Sequence, residues 1–273
     1  MFKLLKSQEL LKQLSFDETT AVTYNLFYRI LDDPEAFAVL SNDNRCVVAQ
    51  NLKNALWLWI SDTCADDQIA KYSQDLVSLL GERFVPSVIG LQRSVNLFSE
   101  LYAKAHAIQT LPGMSMTAYS CPQVIPHNIS SCSVYNAGAE HVDIIAEFCA
   151  GFTHDALNKP ANKNEYLMVA ERLIQAKSIY VLHNGETIVS MANIAHKTDR
   201  YARINLVYTP HEYRKKGYAS HIVTVLTDKM ILEGLTPMLY TDDTNATSNK
   251  VYQSIGYVET GRLITVDFGA KNT

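Results

Sequence analysis

The sequence predicts a mixed α and β protein, of α/β or α+β class, built from two successive domains. Three observations carry this. Short apolar runs rich in β-branched and aromatic residues alternate with longer segments of helical periodicity, and the alternation occurs twice. With 273 residues, 47% of them hydrophobic and 19% charged, the chain has the apolar material for a large core without external staples, and its length suits one large or two ordinary domains. One stretch, 110–130, concentrates Pro112, Gly113, Pro122 and Pro126 among Ser and Asn, which places a linker at 121–130 and the domains at 1–125 and 130–273.

In chain order, Leu4, Leu10, Leu11, Leu14, Val22, Leu26 and Ile30 stand at helical spacings until Asp32-Asp33-Pro34 interrupts them, so one or two helices open the chain. The runs 46–49 and 55–60, joined by Asn51-Leu52-Lys53-Asn54, predict a hairpin, and Trp57 and Trp59 share one of its faces as core residues. A helix follows at 66–80, a strand at 84–89, and a helix at 91–105 with Val95, Phe98, Leu101, Tyr102 and Ala105 on one stripe.

The second alternation runs from a strand at 132–136 through helices at 138–155 and 161–176 to strands at 178–183, 186–195 and 201–208. Asn184-Gly185 is the hairpin signal between two of these strands. A helix at 217–233 ends at Gly234, with Pro237 beyond it. A strand at 238–241, a helix at 245–255 and two last strands close the chain.

Charge and composition narrow the function. Lys plus Arg is 24 and Asp plus Glu 28, a net charge of −4, which gives no general pull toward nucleic acid or acidic lipid. Cys46, Cys64, Cys121, Cys132 and Cys149 are odd in number and scattered, as expected of reduced thiols in a cytoplasmic protein. Charges break the apolar runs of Met1-Phe2-Lys3-Leu4-Leu5-Lys6, and no stretch of about 18 apolar residues occurs, so neither a signal peptide nor a membrane span is expected. His127, His141, His154, His183, His196 and His211 lack ligand spacing, so no metal is expected.

Two segments carry the chemistry. The first is Thr209-Pro210-His211-Glu212-Tyr213-Arg214-Lys215-Lys216-Gly217-Tyr218-Ala219, a strand end passing through a basic turn into a helix. Helix-start N–H groups have no intrahelical partner, and the dipole adds positive charge there, so the geometry suits a diphosphate. Ala219, Ile222, Val223, Leu226 and Met230 form the apolar stripe that anchors this helix. A solvated basic turn before a surface helix has the same local appearance, so the turn does not decide alone. The second segment, 245–257, puts Asn245, Asn249 and Tyr252 at i, i+4 and i+7 on one helix face, with Val251 and Ile255 opposite and Gly256 at the end. Its plainer reading makes Asn245 a helix cap and Tyr252 a half-buried core residue.

Together, Arg214, Gly217 and Ala219, followed about 30 residues later by Asn245, Ser248, Tyr252, Gly256 and Tyr257, resemble the signatures of the GNAT acyltransferases. The resemblance covers 131–273. It implies a GNAT-like second domain, and because the order in residues 45–120, hairpin, helix, strand, helix, strand, repeats that of the second half without its motifs, the first domain reads as a degenerate copy, each a mixed, mostly antiparallel central sheet flanked by helices. It further implies acetyl-CoA as donor and a primary amine of a small molecule or peptide as acceptor; a homodimer is compatible with it. Val207, Tyr208 and Thr209 would pair with the pantetheine arm as an added strand does. The turn from Arg214 and the amides of Lys215, Lys216, Gly217, Tyr218, Ala219 and Ser220 would hold the pyrophosphate, Asn245 would contact the arm, and Tyr252 would protonate the departing sulfur.

Many relatives carry a Glu on the strand before the phosphate turn. Here Ala202-Arg203-Ile204-Asn205-Leu206-Val207 has no carboxylate, which leaves Asp199, Glu165 or a water chain as base. A non-catalytic acyl-CoA-binding or sensing protein is therefore the alternative. A nucleotide site of another kind fits less well, because the Gly-Lys-Ser/Thr ending of a P-loop and the dinucleotide fingerprint are both missing. In the first half, Ser61-Asp62-Thr63-Cys64-Ala65-Asp66-Asp67 occupies the place of the phosphate turn and would repel a diphosphate.

Overall fold

The computed structural model describes residues 2–5, 11, 14 and 16–269. The chain divides into two compact units: Met1–Ala118 with Asp242–Thr244 and Thr260–Thr273, and Tyr119–Thr241 with Asn245–Glu259. In chain order the elements are β1 (Phe2–Leu4), α1 (Glu18–Thr23), α2 (Leu26–Leu31), β2 (Phe37–Ser41), β3 (Cys46–Gln50), β4 (Leu56–Ile60), α3 (Asp66–Leu80), β5 (Ser87–Gly90), α4 (Gln92–His106), β6 (Gln109–Ser120), β7 (Cys132–Asn136), α5 (Val142–Leu157), α6 (Leu167–Gln175), β8 (Ile179–Asn184), β9 (Thr187–Lys197), β10 (Tyr201–Tyr208), α7 (Tyr218–Leu232), β11 (Thr236–Asp242), α8 (Ala246–Ile255) and β12 (Val258–Gly269).

The first unit orders its strands β1-β2-β3-β4-β5-β12-β6. Strands β1 to β4 form an antiparallel meander, and β4 then pairs parallel with β5 by way of α3. Helix α3 buries Ile69, Tyr72, Ser73, Leu76 and Leu80, the helical spacing that turns one stripe inward. That stripe joins Val48, Leu58 and Val88 of the sheet and Phe98 and Tyr102 of α4 in one core. Trp57 is buried edge-on against Tyr24 and Phe27, a core residue as the sequence predicts. Where the sequence predicts only helices at the start of the chain, the described residues there include a short strand, β1, followed by the six-residue helices α1 and α2; Leu10 lies outside the described residues.

The second unit orders its strands β11-β10-β9-β8-β7, an antiparallel meander from β7 to β10 followed by a parallel β10–β11 pair with α7 between them. Helices α7 and α8 cover one face, where Ile222, Val223, Leu226, Met230, Tyr252 and Ile255 meet Leu182, Ala202, Ile204 and Leu239. Residues Ile145, Phe148, Cys149 of α5 and Ala170 of α6 cover the other, against Ile179, Val181 and Met191. The β8–β9 hairpin lies where Asn184-Gly185 predicts it, but Asn184 ends the strand and pairs with Thr187, so the turn is Gly185-Glu186.

One expectation holds against the local breakers and one fails. The stretch 109–120, despite Pro112 and Gly113, is one twelve-residue strand, β6, the strand that closes the first alternation; a Cβ on Gly113 would sit 2.9 Å from Thr265 of β12, so glycine there permits a close approach. The chain's end is one twelve-residue strand, not two, and its residues 264–267 pair antiparallel with Ser87–Gly90 of the first unit. All five cysteines are free thiols. Among the described residues, no helix is long and apolar enough to cross a membrane.

Candidate functional site

The site begins where two parallel strands part. Strand β10 pairs with β11 from Tyr201↔Thr236 to Ile204↔Leu239, and the pairing ends there. On its other edge β10 stays with β9, where Asn205↔Asn193 is followed by Tyr208↔Met191. Three steps on β10 match two on β9, so β10 carries one extra residue, a bulge. Leu206 lies inside it at φ 48, a left-handed conformation that costs a branched residue about 1–3 kcal/mol. The bulge bends the strand away from β11 just before the basic turn.

Beyond Tyr208 the chain makes a short 3-10 turn over His211–Tyr213 and enters α7. Lys215 (φ 61) and Gly217 (φ 80) are both left-handed, and left-handed residues in a turn rotate successive N–H groups into anion-binding concavities. At Gly217 a Cβ would meet nothing closer than Ile129 at 3.6 Å, so its positive φ, not lack of room, is the reason for glycine. No side chain caps α7. The helix is rigidly seated, with Ile222, Val223, Leu226 and Met230 fully buried. Ala219 is only partly buried, so it sits less deeply than the predicted stripe, and the Tyr218 side chain is buried with its hydroxyl accepting from Asn184 Nδ2 at 3.0 Å.

The three basic residues of the turn differ. Lys215 and Lys216 are exposed, with Lys216 Nζ 5.7 Å from the Tyr213 ring centre. Arg214 is instead folded back: its Nε donates to the Thr209 carbonyl at 2.8 Å, its Nη2 pairs with Asp155, and its Nη1 lies 3.1 Å from His211 Nδ1. Asp155, on α5, also meets His211 Nε2 at 3.0 Å and His154 Nδ1 at 2.9 Å. Burial alone would raise the Asp155 carboxyl, but hydrogen bonds from His154, Arg214 and His211 outweigh it and hold it down at about 2. Sequence reasoning missed Asp155, which lies 59 residues from Arg214 and in no motif.

Two carbonyls assigned from the sequence to an added strand already accept within the protein: Tyr208 O from Ser190 Oγ at 2.9 Å, and Thr209 O from Arg214. Each keeps a second lone pair. The Thr209 hydroxyl lies 2.9 Å from Ser190 Oγ. Asn205 Oδ1 accepts from Asn193 Nδ2 at 2.8 Å, so an amide pair, not a carboxylate, stands at the bulge. Asp199 lies in the turn before β10, at the opposite end of an eight-residue strand from the basic turn, about 25 Å away at strand rise. Glu165 is exposed in a 3-10 turn before α6.

Asn245 caps α8, its Oδ1 accepting from Ser248 N at 3.0 Å. Asn249 Oδ1 accepts from the Tyr119 hydroxyl at 3.3 Å. Tyr252 is 9% exposed and packs edge-on to Tyr257, in the core that holds Ile204 and Leu239 and against which Val207 packs. The predicted acid and the splayed strand are thus brought to one face of the sheet. Burial pushes the Tyr252 phenol up to about 12, so it stays protonated at neutral pH.

A cleft of about 590 Å³ lies beside the turn, between Phe148 and Gly151 of α5 and Tyr208, His211 and Tyr213. Gly151 leaves room there for the Tyr208 ring, since a Cβ would fall 2.3 Å from the Tyr208 hydroxyl in its present position. Among the described residues, no group of three His, Cys, Asp or Glu side chains is arranged to hold a metal.

Residues 181–264, which include both sequence motifs, match the family model for FR47-like protein. No curated protein matches the chain in sequence. Solved structures match along nearly its whole length. An acetyltransferase from the GNAT family of Colwellia psychrerythraea is similar at a TM-score of 0.59 and 17% identity, covering 99% of this chain and 100% of that one. A Drosophila protein is similar at 0.65 and 10%, covering 100% and 99%. A GCN5-related N-acetyltransferase from Sphaerobacter thermophilus is similar at 0.58 and 13%, covering 89% and 84%. The chain therefore has the fold of the GNAT acetyltransferases, with an FR47-like segment across 181–264.

Proposed function

We propose that the chain is an N-acyltransferase that moves an acetyl group from acetyl-CoA to a primary amine of a small molecule or peptide. One observation carries the reading: β10 leaves its parallel partner immediately before a basic turn that opens an uncapped helix. The gap accepts an extended pantetheine arm beside Val207, Tyr208 and Thr209. The amides of Lys215, Lys216, Gly217, Tyr218, Ala219 and Ser220 face the diphosphate, with Lys215 and Lys216 adding charge. Asn245 spends its Oδ1 on the helix cap, which leaves its NH2 group to meet the arm.

In the reaction the amine nitrogen attacks the thioester carbonyl, the C–N bond forms, and the C–S bond breaks with its electron pair passing to sulfur. The amine's proton passes to solvent water, sulfur takes the proton of Tyr252, and the tyrosinate regains one from water, so protons balance. A backbone N–H at the bulge stabilises the oxyanion. Tyr252 acts as the proton donor to sulfur. Against a thiol reference near 8.5, a phenol at about 12 gives up its proton uphill, so Tyr252 first lends a hydrogen bond and transfers the proton as charge develops on sulfur. Turnover with acetyl-CoA across an amine panel tests the reading, and a Tyr252→Phe variant as active as wild type on a true substrate removes that role.

The second reading, an acyl-CoA-binding or sensing protein without turnover, is favoured by the Asn193–Asn205 amide pair where a base carboxylate would serve. It predicts stabilisation by CoA, about 2.7 kcal/mol at a hundredfold excess over Kd, with every amine inert.

A further inference from the structure

We propose that Asp155 is the positioning residue of the basic turn: it holds Arg214 folded onto the Thr209 carbonyl, so that Arg214 braces the turn and makes no contact with the diphosphate. This rests on the reading of 214–220 as the CoA site.

The geometry is specific. Three nitrogens of Arg214 are directed at protein partners, the Thr209 carbonyl, His211 and Asp155. Its guanidinium carbon lies 5.7 Å from the Tyr208 ring centre, whose hydroxyl in turn lies 3.5 Å from Asp155 Oδ2. The Asp155 side chain is only 18% exposed and its second oxygen faces His154. Gly151, one turn earlier on α5, makes the room in which Tyr208 sits. Helix α5 therefore presents a glycine and an aspartate, four residues apart, as a fixed seat for the end of β10 and the first charged residue of the turn. A planar guanidinium bound at three edges is held in one orientation. The Thr209 carbonyl it grips lies at the join between strand and turn, so the path of the chain toward Lys215 is fixed before any ligand arrives.

The alternative, that Arg214 is a phosphate ligand restrained by Asp155, predicts an opposite sign. Titrating CoA into the full-length chain by calorimetry separates them, using wild type, Asp155→Asn, Arg214→Gln and the double variant. Bracing predicts that each single variant binds CoA about tenfold more weakly and that the double variant is no worse than either single one, since both remove the same contact. It also predicts faster amide hydrogen exchange at 215–220 in both single variants without ligand, while the protected interior of α7 around Val223 and Leu226 is unchanged. Tighter CoA binding by Asp155→Asn, or losses that multiply in the double variant, overturns the brace while leaving the CoA site intact. Failure of wild type to bind CoA overturns the functional reading itself, and the brace with it.

Discussion

The two parallel crossings of this chain, β4–α3–β5 in the first unit and β10–α7–β11 in the second, use the same parts to opposite ends. Both helices have fifteen residues and neither has a side-chain cap. Both entry turns are tied by an arginine, an aspartate and a turn carbonyl, with the charges exchanged. In the first, Asp66 belongs to the helix start, and Arg93 comes from α4 to reach it at 2.6 Å and the Cys64 carbonyl at 3.0 Å. In the second, Arg214 belongs to the turn and Asp155 comes from α5. What remains at each helix start then differs in sign: Asp62 and Asp67 in one, Lys215 and Lys216 in the other. The strands differ too. A Cβ on Gly90 of β5 would lie 2.3 Å from the Leu58 carbonyl of β4, so that pair is closed, whereas β10 bulges and leaves β11 after Ile204. An anion site needs more than a bare helix end; it needs an opening beside it and the right charge left over.

The contrast is sharpest if the second turn is made to look like the first. Lys215→Glu with Lys216→Glu should weaken CoA binding about a hundredfold by calorimetry, with little change in melting temperature because both side chains are exposed. Next in size, Tyr252→Phe should lower kcat about thirtyfold with KM for acetyl-CoA unchanged, as for a group that acts on the departing sulfur; steady-state kinetics checks it. In the closed crossing, Gly90→Ala forces a Cβ against backbone and should cost about 2 kcal/mol in denaturant unfolding without altering CoA affinity. The smallest effect belongs to pH. The Asp155 carboxyl lies below its unfolded value, so its contribution is fully present above about pH 4 and is lost as pH falls toward 2. Acid unfolding of Asp155→Asn should lack that loss, worth about 1 kcal/mol once the linkage value is discounted for solvent screening.

Much of the site was legible because its information is local. Left-handed Gly217, the stripe Ile222-Val223-Leu226-Met230 and the closing Gly234 each leave a mark within a few residues, so α7 and its turn can be read directly. The cap role of Asn245 was visible as the plainer of two readings, and it holds. What could not be read depends on partners far along the chain. Pro112 and Gly113 signal a break locally, yet β6 runs unbroken through them because β12 supplies a neighbour that fits against the glycine. No periodicity announces that 264–267 will pair with Ser87–Gly90. Asp155 is one acidic residue on an amphipathic helix until Arg214 is folded against it, and the side chain of Arg214 reads as a free charge until Asp155 is known.

The central claim is that one crossing of the two is built to hold CoA, through the diphosphate. Calorimetric titration of the intact chain with CoA and, separately, with pantetheine, which lacks the diphosphate, tests it most directly. The account predicts one CoA per chain and binding at least about a hundredfold weaker for pantetheine. Two CoA sites per chain, or equal affinity for CoA and pantetheine, would contradict it.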